Sequence, residues 1–141
     1  MGKMTVQSAG YREIEHTADW ELHVWAPDLN ILFVQAARGM YALSGTRIQN
    51  EPRRSKFLEL SASDLESLLV VFLEELLFLG EREQIGFDRF DDMKLNQNRI
   101  EVRLEGAPIL LQSKEIKAVT YHNLEIRETM QEYEVNIVFD V

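Results

Sequence analysis

The chain of 141 residues contains no cysteine and carries 24 acidic against 15 basic residues, a formal net charge of −9 at pH 7. The lack of cysteine excludes disulfides, thiolate metal sites and cysteine nucleophiles. The negative charge opposes binding to a phosphate backbone, so no direct nucleic-acid contact is expected. No apolar run has the character of a signal peptide or a membrane span, which predicts a cytoplasmic protein without a membrane partner.

Two strands are predicted near the start of the chain. Tyr11–Glu15 is a short strand, and Trp20–Trp25 alternates in the manner of a half-buried strand. The polar residues between them, from His16 to Asp19, are predicted to form a turn or a bulge. Polar side chains reach the surface easily in such a connection.

Two helices are predicted from apolar residues that recur at helical spacing. The first follows Asp28, a residue type that caps helices, and ends near Gly45. The second follows Ser63, which forms a capping box with Glu66 three residues later. Its apolar residues cover most of its circumference, so it is expected to contact more than one neighbour. The pair Glu74–Glu75 is assigned to its solvent-exposed side.

Strands dominate the remainder of the chain. They are predicted at Phe57–Ser61, around Phe87–Phe90, at Ile100–Glu105 before a break at Gly106–Pro108, at Glu115–His122 and at Tyr133–Val141. Since most neighbouring strands can pair as hairpins, the sequence predicts an α+β fold with one mainly antiparallel or mixed sheet of about six or seven strands carrying two helices. We place a single domain at residues 11–141 and expect a flexible N-terminus over residues 1–10.

The final strand carries an uncommon arrangement of oxygen donors. Apolar residues occupy every second position up to Val141, which directs Asp140 away from the core. If Val141 closes a packed strand, its terminal carboxylate lies beside the Asp140 side chain. Oxygen donors suit Ca²⁺ or Mg²⁺ better than zinc or copper. Asp19 is a candidate companion, although the sequence does not show that it lies near Asp140.

Other kinds of site find less support. The three histidines have no His-x3-His pairing for zinc, and the aspartates between 88 and 92 lack the glycine and glutamate of a calcium loop. Neither a glycine-rich phosphate loop nor a Gly-x-Ser-x-Gly elbow is present. Lys117 lies on an apolar strand two residues from Glu115, and an ordinary surface salt bridge is the default interpretation of that pair.

Four motifs in register resemble the archease family. They are Tyr-x-x-x-Glu-His-Thr-Ala-Asp at Tyr11–Asp19, Glu-Glu-Leu-Leu at Glu74–Leu77, Glu-Ile-Lys-Ala-Val-Thr-Tyr-His at Glu115–His122 and the closing Phe-Asp-Val. Their order and spacing match the family over nearly the whole chain. The resemblance implies an accessory protein that is not an enzyme. Archeases assist the RtcB-type RNA-splicing ligase in tRNA splicing and RNA repair by promoting its guanylylation and repeated turnover.

The resemblance also implies which residues carry the function. The family's metal ligands fall on Asp19, Asp140 and the terminal carboxylate or carbonyl of Val141. The implied cofactor is a divalent cation, calcium ahead of magnesium or manganese. Lys117 matches a basic residue of the family's functional cluster, so Asp19, Lys117 and Asp140 are the residues implied in partner activation. Secondary candidates in the same motifs are His16 and Glu115.

Two functions of other classes stay open. A metal-dependent phosphoester hydrolase would use the same carboxylates as ligands. A general chaperone or protein-interaction module would contact its clients through the apolar second helix.

Overall fold

The computed structural model describes residues 8–14 and 19–141. In chain order its elements are β1 (Gly10–Ile14), β2 (Trp20–Ala26), α1 (Leu29–Ser44), β3 (Arg47–Ile48), β4 (Arg54–Ser61), α2 (Leu65–Glu83), β5 (Ile85–Leu95), β6 (Arg99–Leu111), β7 (Ala118–Val119), β8 (Arg127–Glu128) and β9 (Tyr133–Asp140). The predicted turn or bulge that contains His16 lies outside the described residues, as does most of the N-terminal segment that was expected to be flexible.

The strands form two antiparallel sheets. Sheet 1 has the order β1-β2-β9-β7, and β8 also pairs with β9, whereas in sheet 2 the long strand β6 pairs with β3, β4 and β5. Each helix contacts both sheets. The predicted α+β class, the antiparallel pairing and the two helices are confirmed. The described chain nevertheless has two sheets and nine strands, and three of these strands are only two residues long. Such short strands have no alternating pattern that a sequence could reveal.

The core lies between the helices and the inner faces of the sheets. Phe72 of α2 is fully buried, with its ring centroid 5.7 Å from that of Phe33 in α1 and 6.3 Å from that of Phe90 in β5. Each fully buried apolar side chain of this size contributes roughly 1.5–3 kcal/mol. The second helix therefore joins α1 to sheet 2, as its broad apolar surface predicts. In the described part of the chain, no helix is long and apolar enough to cross a membrane.

Aspartates begin both helices. The Asp28 carboxylate accepts a hydrogen bond from the backbone N–H of Ile31 at 2.8 Å, as expected for α1. The prediction of Ser63 as the cap of α2 is wrong by one residue, because Asp64 has the extended cap backbone and accepts from the N–H of Ser67 at 2.8 Å. This hydrogen bond stabilises the ionised form and lowers the pKa of Asp64.

The predicted break in β6 is also wrong, since the strand continues through Gly106–Pro108. On one side, β6 pairs with β4 up to Gly106 and with β3 from Ile109 onward. Pro108 therefore lies between the residues of β6 that pair with β4 and those that pair with β3. Its missing N–H interrupts neither of these two pairings. Glycine is needed at 106, because a Cβ there would collide with the carbonyl oxygen of Gly86 on β5.

Candidate functional site

The end of β9 is held on both sides within sheet 1. Phe139 is paired with Trp20 at the start of β2 and with Val119 on β7. The backbone N–H of Lys117 donates to the carbonyl oxygen of Asp140 at 2.7 Å. Val141 is half-buried and packs against the core. The chain end therefore has a defined position, fixed by two neighbouring strands and by its own side chain.

The same register relates the two candidate aspartates. β2 and β9 are antiparallel and their last pair is Trp20 with Phe139. Asp19 and Asp140 are the next residues beyond this pair, although the ladder itself stops at Trp20 and Asp19 lies in a bend. Both residues are exposed and share the outer face of the sheet, because their core-side neighbours Trp20 and Phe139 point inward. Opposed carboxylates repel unless a cation lies between them.

The candidate metal set is small. Within residues 8–14 and 19–141, no three histidine, aspartate or glutamate side chains are grouped as a metal site requires. The ligands predicted for a site at this sheet end are the side chains of Asp19 and Asp140 and the terminal carboxylate of Val141, a set that includes only two such side chains. Hard oxygen donors of this kind fit calcium, magnesium or manganese. His16, the secondary candidate, lies outside the described residues.

Lys117 belongs to a different surface from Asp19. It is exposed and lines a cavity of about 270 Å³ together with Glu115 and the α2 residues Glu74 and Phe78. Asp19 lines a separate cavity of about 330 Å³, whose other lining residues are Glu21, His122, Asn123, Glu125, Arg127, Asn136 and Val138. Among the described residues, Lys117 has no ion pair, so the default salt bridge to Glu115 is not formed. Its ammonium group is available to a ligand or a partner.

The stretch Glu115–His122 is less regular than its sequence predicts. Only Ala118–Val119 forms a strand, and the buried residues Ile116 and Val119 are three positions apart instead of two or four. The predicted alternation is therefore wrong here. A glutamate of α2 holds the segment: the Glu74 carboxylate accepts from the N–H of Val119 at 2.8 Å.

The sequence placed Glu74 on the solvent-exposed side of α2. It did not predict that the Glu74 carboxylate would accept a hydrogen bond from another segment. Glu66, one residue of the predicted capping box, acts in the same way by accepting from the N–H of Ile126 at 2.9 Å. A backbone N–H left without its acceptor in such a position costs about 1–3 kcal/mol. Glu74 thus holds the segment that carries Lys117, and Glu66 holds Ile126 further along the chain. The sequence feature that could have drawn attention to Glu74 is its place at the start of the Glu-Glu-Leu-Leu motif.

The matching family is described as the Archease protein family (MTH1598/TM1083), and the match spans residues 11–141. The chain belongs to the archease family. A protein archease of Pyrobaculum neutrophilum is 34% identical over 142 residues, which covers 94% of this chain and 96% of that relative. The resemblance that the four motifs indicated is confirmed.

Solved structures share the archease fold. Protein 1598 of Methanobacterium thermoautotrophicum gives a TM-score of 0.69 at 23% identity, covering 94% of this chain and 99% of that one. An archease of Thermotoga maritima, described as a possible chaperone, gives a TM-score of 0.65 at 23% identity and covers 92% and 96% of the two chains. At these identities the likeness establishes the fold alone.

Proposed function

We propose that this archease binds a divalent cation through Asp19, Asp140 and the terminal carboxylate of Val141, and that it activates an RtcB-type RNA ligase. The observation that supports the proposal is the β2–β9 register, whose last pair, Trp20 with Phe139, lies one residue before Asp19 and Asp140 in the two segments. The activity itself is the one implied by the archease motifs. The net charge of −9 agrees with a partner that presents basic surface, as a ligase that holds RNA must.

The chemistry of the three carboxylates favours calcium, with magnesium and manganese as the alternatives. Calcium takes six to eight oxygen ligands in flexible geometry, whereas magnesium demands a strict octahedron. Asp19 and Asp140 are exposed. Three carboxylates on an open surface leave coordination positions for water or for groups of a partner. We therefore propose that the sheet end enters the ligase's nucleotide site, where Asp19 and Asp140 orient a metal needed for guanylylation.

Lys117 is proposed to act beside the carboxylates and not among them. Its backbone N–H is bonded to Asp140, while its side chain lines the cavity next to α2. An ammonium group without an ion pair in the described structure can offset the phosphate charge of a ligase-bound nucleotide. Val119, held by Glu74, keeps this part of the chain in place.

Ligation assays with excess RNA ends test the proposal. The partner ligase alone is expected to stall after about one turnover, since regeneration of its guanylylated form limits the cycle. Addition of the archease is expected to raise both the guanylylated fraction and the number of turnovers. Equal turnover with and without the archease would contradict the proposal. A parallel incubation without ligase addresses the hydrolase alternative, for which phosphoester cleavage with added Mg²⁺ or Mn²⁺ would be the positive result.

The chaperone alternative receives little support from α2. Contact with clients through that helix requires exposed apolar surface. The leucines and phenylalanine that make α2 apolar are instead nearly all buried, and Phe78 is its exposed large apolar side chain at 47%. The apolar character of α2 is accounted for by the core.

A further inference from the structure

A groove runs along the C-terminal ends of both helices, on a surface apart from Asp19. One cavity of about 230 Å³ lies between the last turns of α1 and α2, and the cavity of about 270 Å³ beside Lys117 adjoins it. The two share four lining residues: Leu77, Glu81, Glu115 and Ile116. They therefore form one elongated depression, which we call the helix-end groove.

The helix-end groove combines apolar and acidic groups. Leu77 and Ile109 are half-buried and supply apolar surface, and Phe78 is exposed in the second cavity. Met40 and Leu76, which also line the first cavity, are fully buried. Glu81 and Glu115 are exposed at the junction of the two cavities. An apolar base with carboxylates above it matches a long basic side chain, whose methylenes pack on apolar surface while the charged head meets an acid.

The charges in the helix-end groove are not neutralised by this chain. In the part of the chain that the structure describes, neither Glu81 nor Glu115 has an ion pair. On sheet 2, by contrast, Arg53 binds Asp88 and Glu105 at 2.5 and 2.9 Å. This pairing stabilises the charged guanidinium and raises the pKa of Arg53.

The helix ends add further negative potential to the groove. The last turns of α1 and α2 both line it, and a helix C-terminus carries about half a negative charge. Arg82, the basic residue in the last turn of α2, lies over the ring of Phe78 at 5.6 Å and lines neither cavity. Lys117 lines the second cavity and contributes one positive charge to the groove, where Glu74, Glu81 and Glu115 contribute three negative charges.

We infer that the helix-end groove binds an extended segment of a protein partner through arginine or lysine side chains. The carboxylates and helix ends supply the attraction, and the leucine and isoleucine surface accepts the aliphatic stems. Glu81 and Glu115 oppose a run of phosphates, so a basic peptide segment fits better than a nucleic acid, whereas Lys117 in the second cavity can still face a single nucleotide phosphate. Its elongated shape across two cavities suits a chain segment with more than one basic residue. The groove excludes the proposed cation ligands Asp19, Asp140 and Val141 but includes Glu115 and Lys117, so peptide binding is measured without a ligase to keep this inference separate from the proposed function.

Nuclear magnetic resonance titration with a synthetic peptide tests this inference. The probe is the blocked octapeptide Gly-Arg-Leu-Arg-Gly-Arg-Leu-Gly, and its counterpart carries glutamate for each arginine. The arginine peptide is expected to shift the amide signals of residues 80–84 and 112–117, while the glutamate peptide leaves them unchanged. In the double variant E81Q/E115Q the affinity should fall by about tenfold or more, because two attractive charges are lost.

A matched control separates the groove from overall charge. E128Q/E132Q removes the same two charges at the far end of β9, and its affinity should stay within about twofold of the parent. Circular dichroism melting establishes that both variants are folded. Unchanged binding by E81Q/E115Q, equal binding of both peptides, or shifts that map elsewhere would each overturn the inference. Self-association that E81Q/E115Q abolishes in analytical ultracentrifugation would assign the groove to a second copy of this chain and overturn it as well.

Discussion

Replacing Asp140 with alanine is expected to reduce ligase turnover by about tenfold to hundredfold, the loss that follows when a metal site is disturbed. Asp140 lies on the outer face of β9 and carries no core packing. Its backbone carbonyl still accepts from the N–H of Lys117 in the variant. The defect should therefore arise without unfolding. Multiple-turnover ligation and calcium titration calorimetry are the two measurements, and both should show the loss.

Glu128→Ala is the matched control for Asp140→Ala. Glu128 is an exposed carboxylate on β8, which pairs with the opposite end of β9. Its removal changes the net charge by the same amount and should leave turnover and cation affinity close to those of the parent. If Asp140→Ala activated the ligase as well as the unmodified chain, the cation site would have no part in the activity.

The largest effect on stability is expected for Phe72→Ala. Phe72 is fully buried between Phe33 and Phe90, so truncation removes contacts to both the first helix and sheet 2. Such a change costs about 3–5 kcal/mol, which is a large part of the roughly 5–15 kcal/mol that stabilises a typical domain. Urea denaturation followed by circular dichroism measures the change in the free energy of unfolding.

Phe57→Ala provides the comparison for Phe72→Ala. Phe57 is 56% exposed on β4. Its truncation should change the free energy of unfolding by no more than about 1 kcal/mol, in the range of solvent-facing strand positions. A cost for Phe72→Ala as small as that for Phe57→Ala would show that α2 does not join the two halves of the core.

The helices were predictable because each has a signal that depends only on nearby residues. The predicted start of α1 at Asp28 and its end near Gly45 agree with the structure to the residue. For α2 the capping-box pattern predicted Ser63, but the neighbouring Asp64 is also a residue type that caps helices and is the cap in the structure. Which of two neighbouring cap residues is used depends on the direction from which the preceding strand reaches the helix. The sequence alone does not reveal that direction.

The position of the candidate site depended on long-range pairing. Alternation in β9 correctly directed Asp140 outward, because a period of two needs only one strand. The proposed meeting of Asp19 and Asp140 rests on the β2–β9 register, which joins residues more than a hundred positions apart. Nothing in either segment alone specifies that register. The sequence also did not reveal that Lys117 and Asp19 line different cavities, because this too depends on long-range pairing.

Irregular segments limited the remaining predictions. The stretch from Glu115 has the composition of a strand, yet its shape is set by the hydrogen bond from Val119 to Glu74 on a distant helix. The continuation of β6 through Pro108 likewise depends on a change of partner strand. Propensity rules describe the isolated segment, whereas these features are tertiary.

Deletion of Val141 tests whether the terminal carboxylate belongs to the proposed cation site, because it moves that carboxylate by one residue while Asp19 and Asp140 stay in the chain. Val141→Ala is the matched control, since it removes most of the side chain that packs on the core and keeps the carboxylate in place. In multiple-turnover ligation with the proposed ligase partner, stimulation should fall by about tenfold or more for the deletion and stay near normal for Val141→Ala. Full stimulation by the deleted chain would contradict the claim that the chain terminus is part of the site.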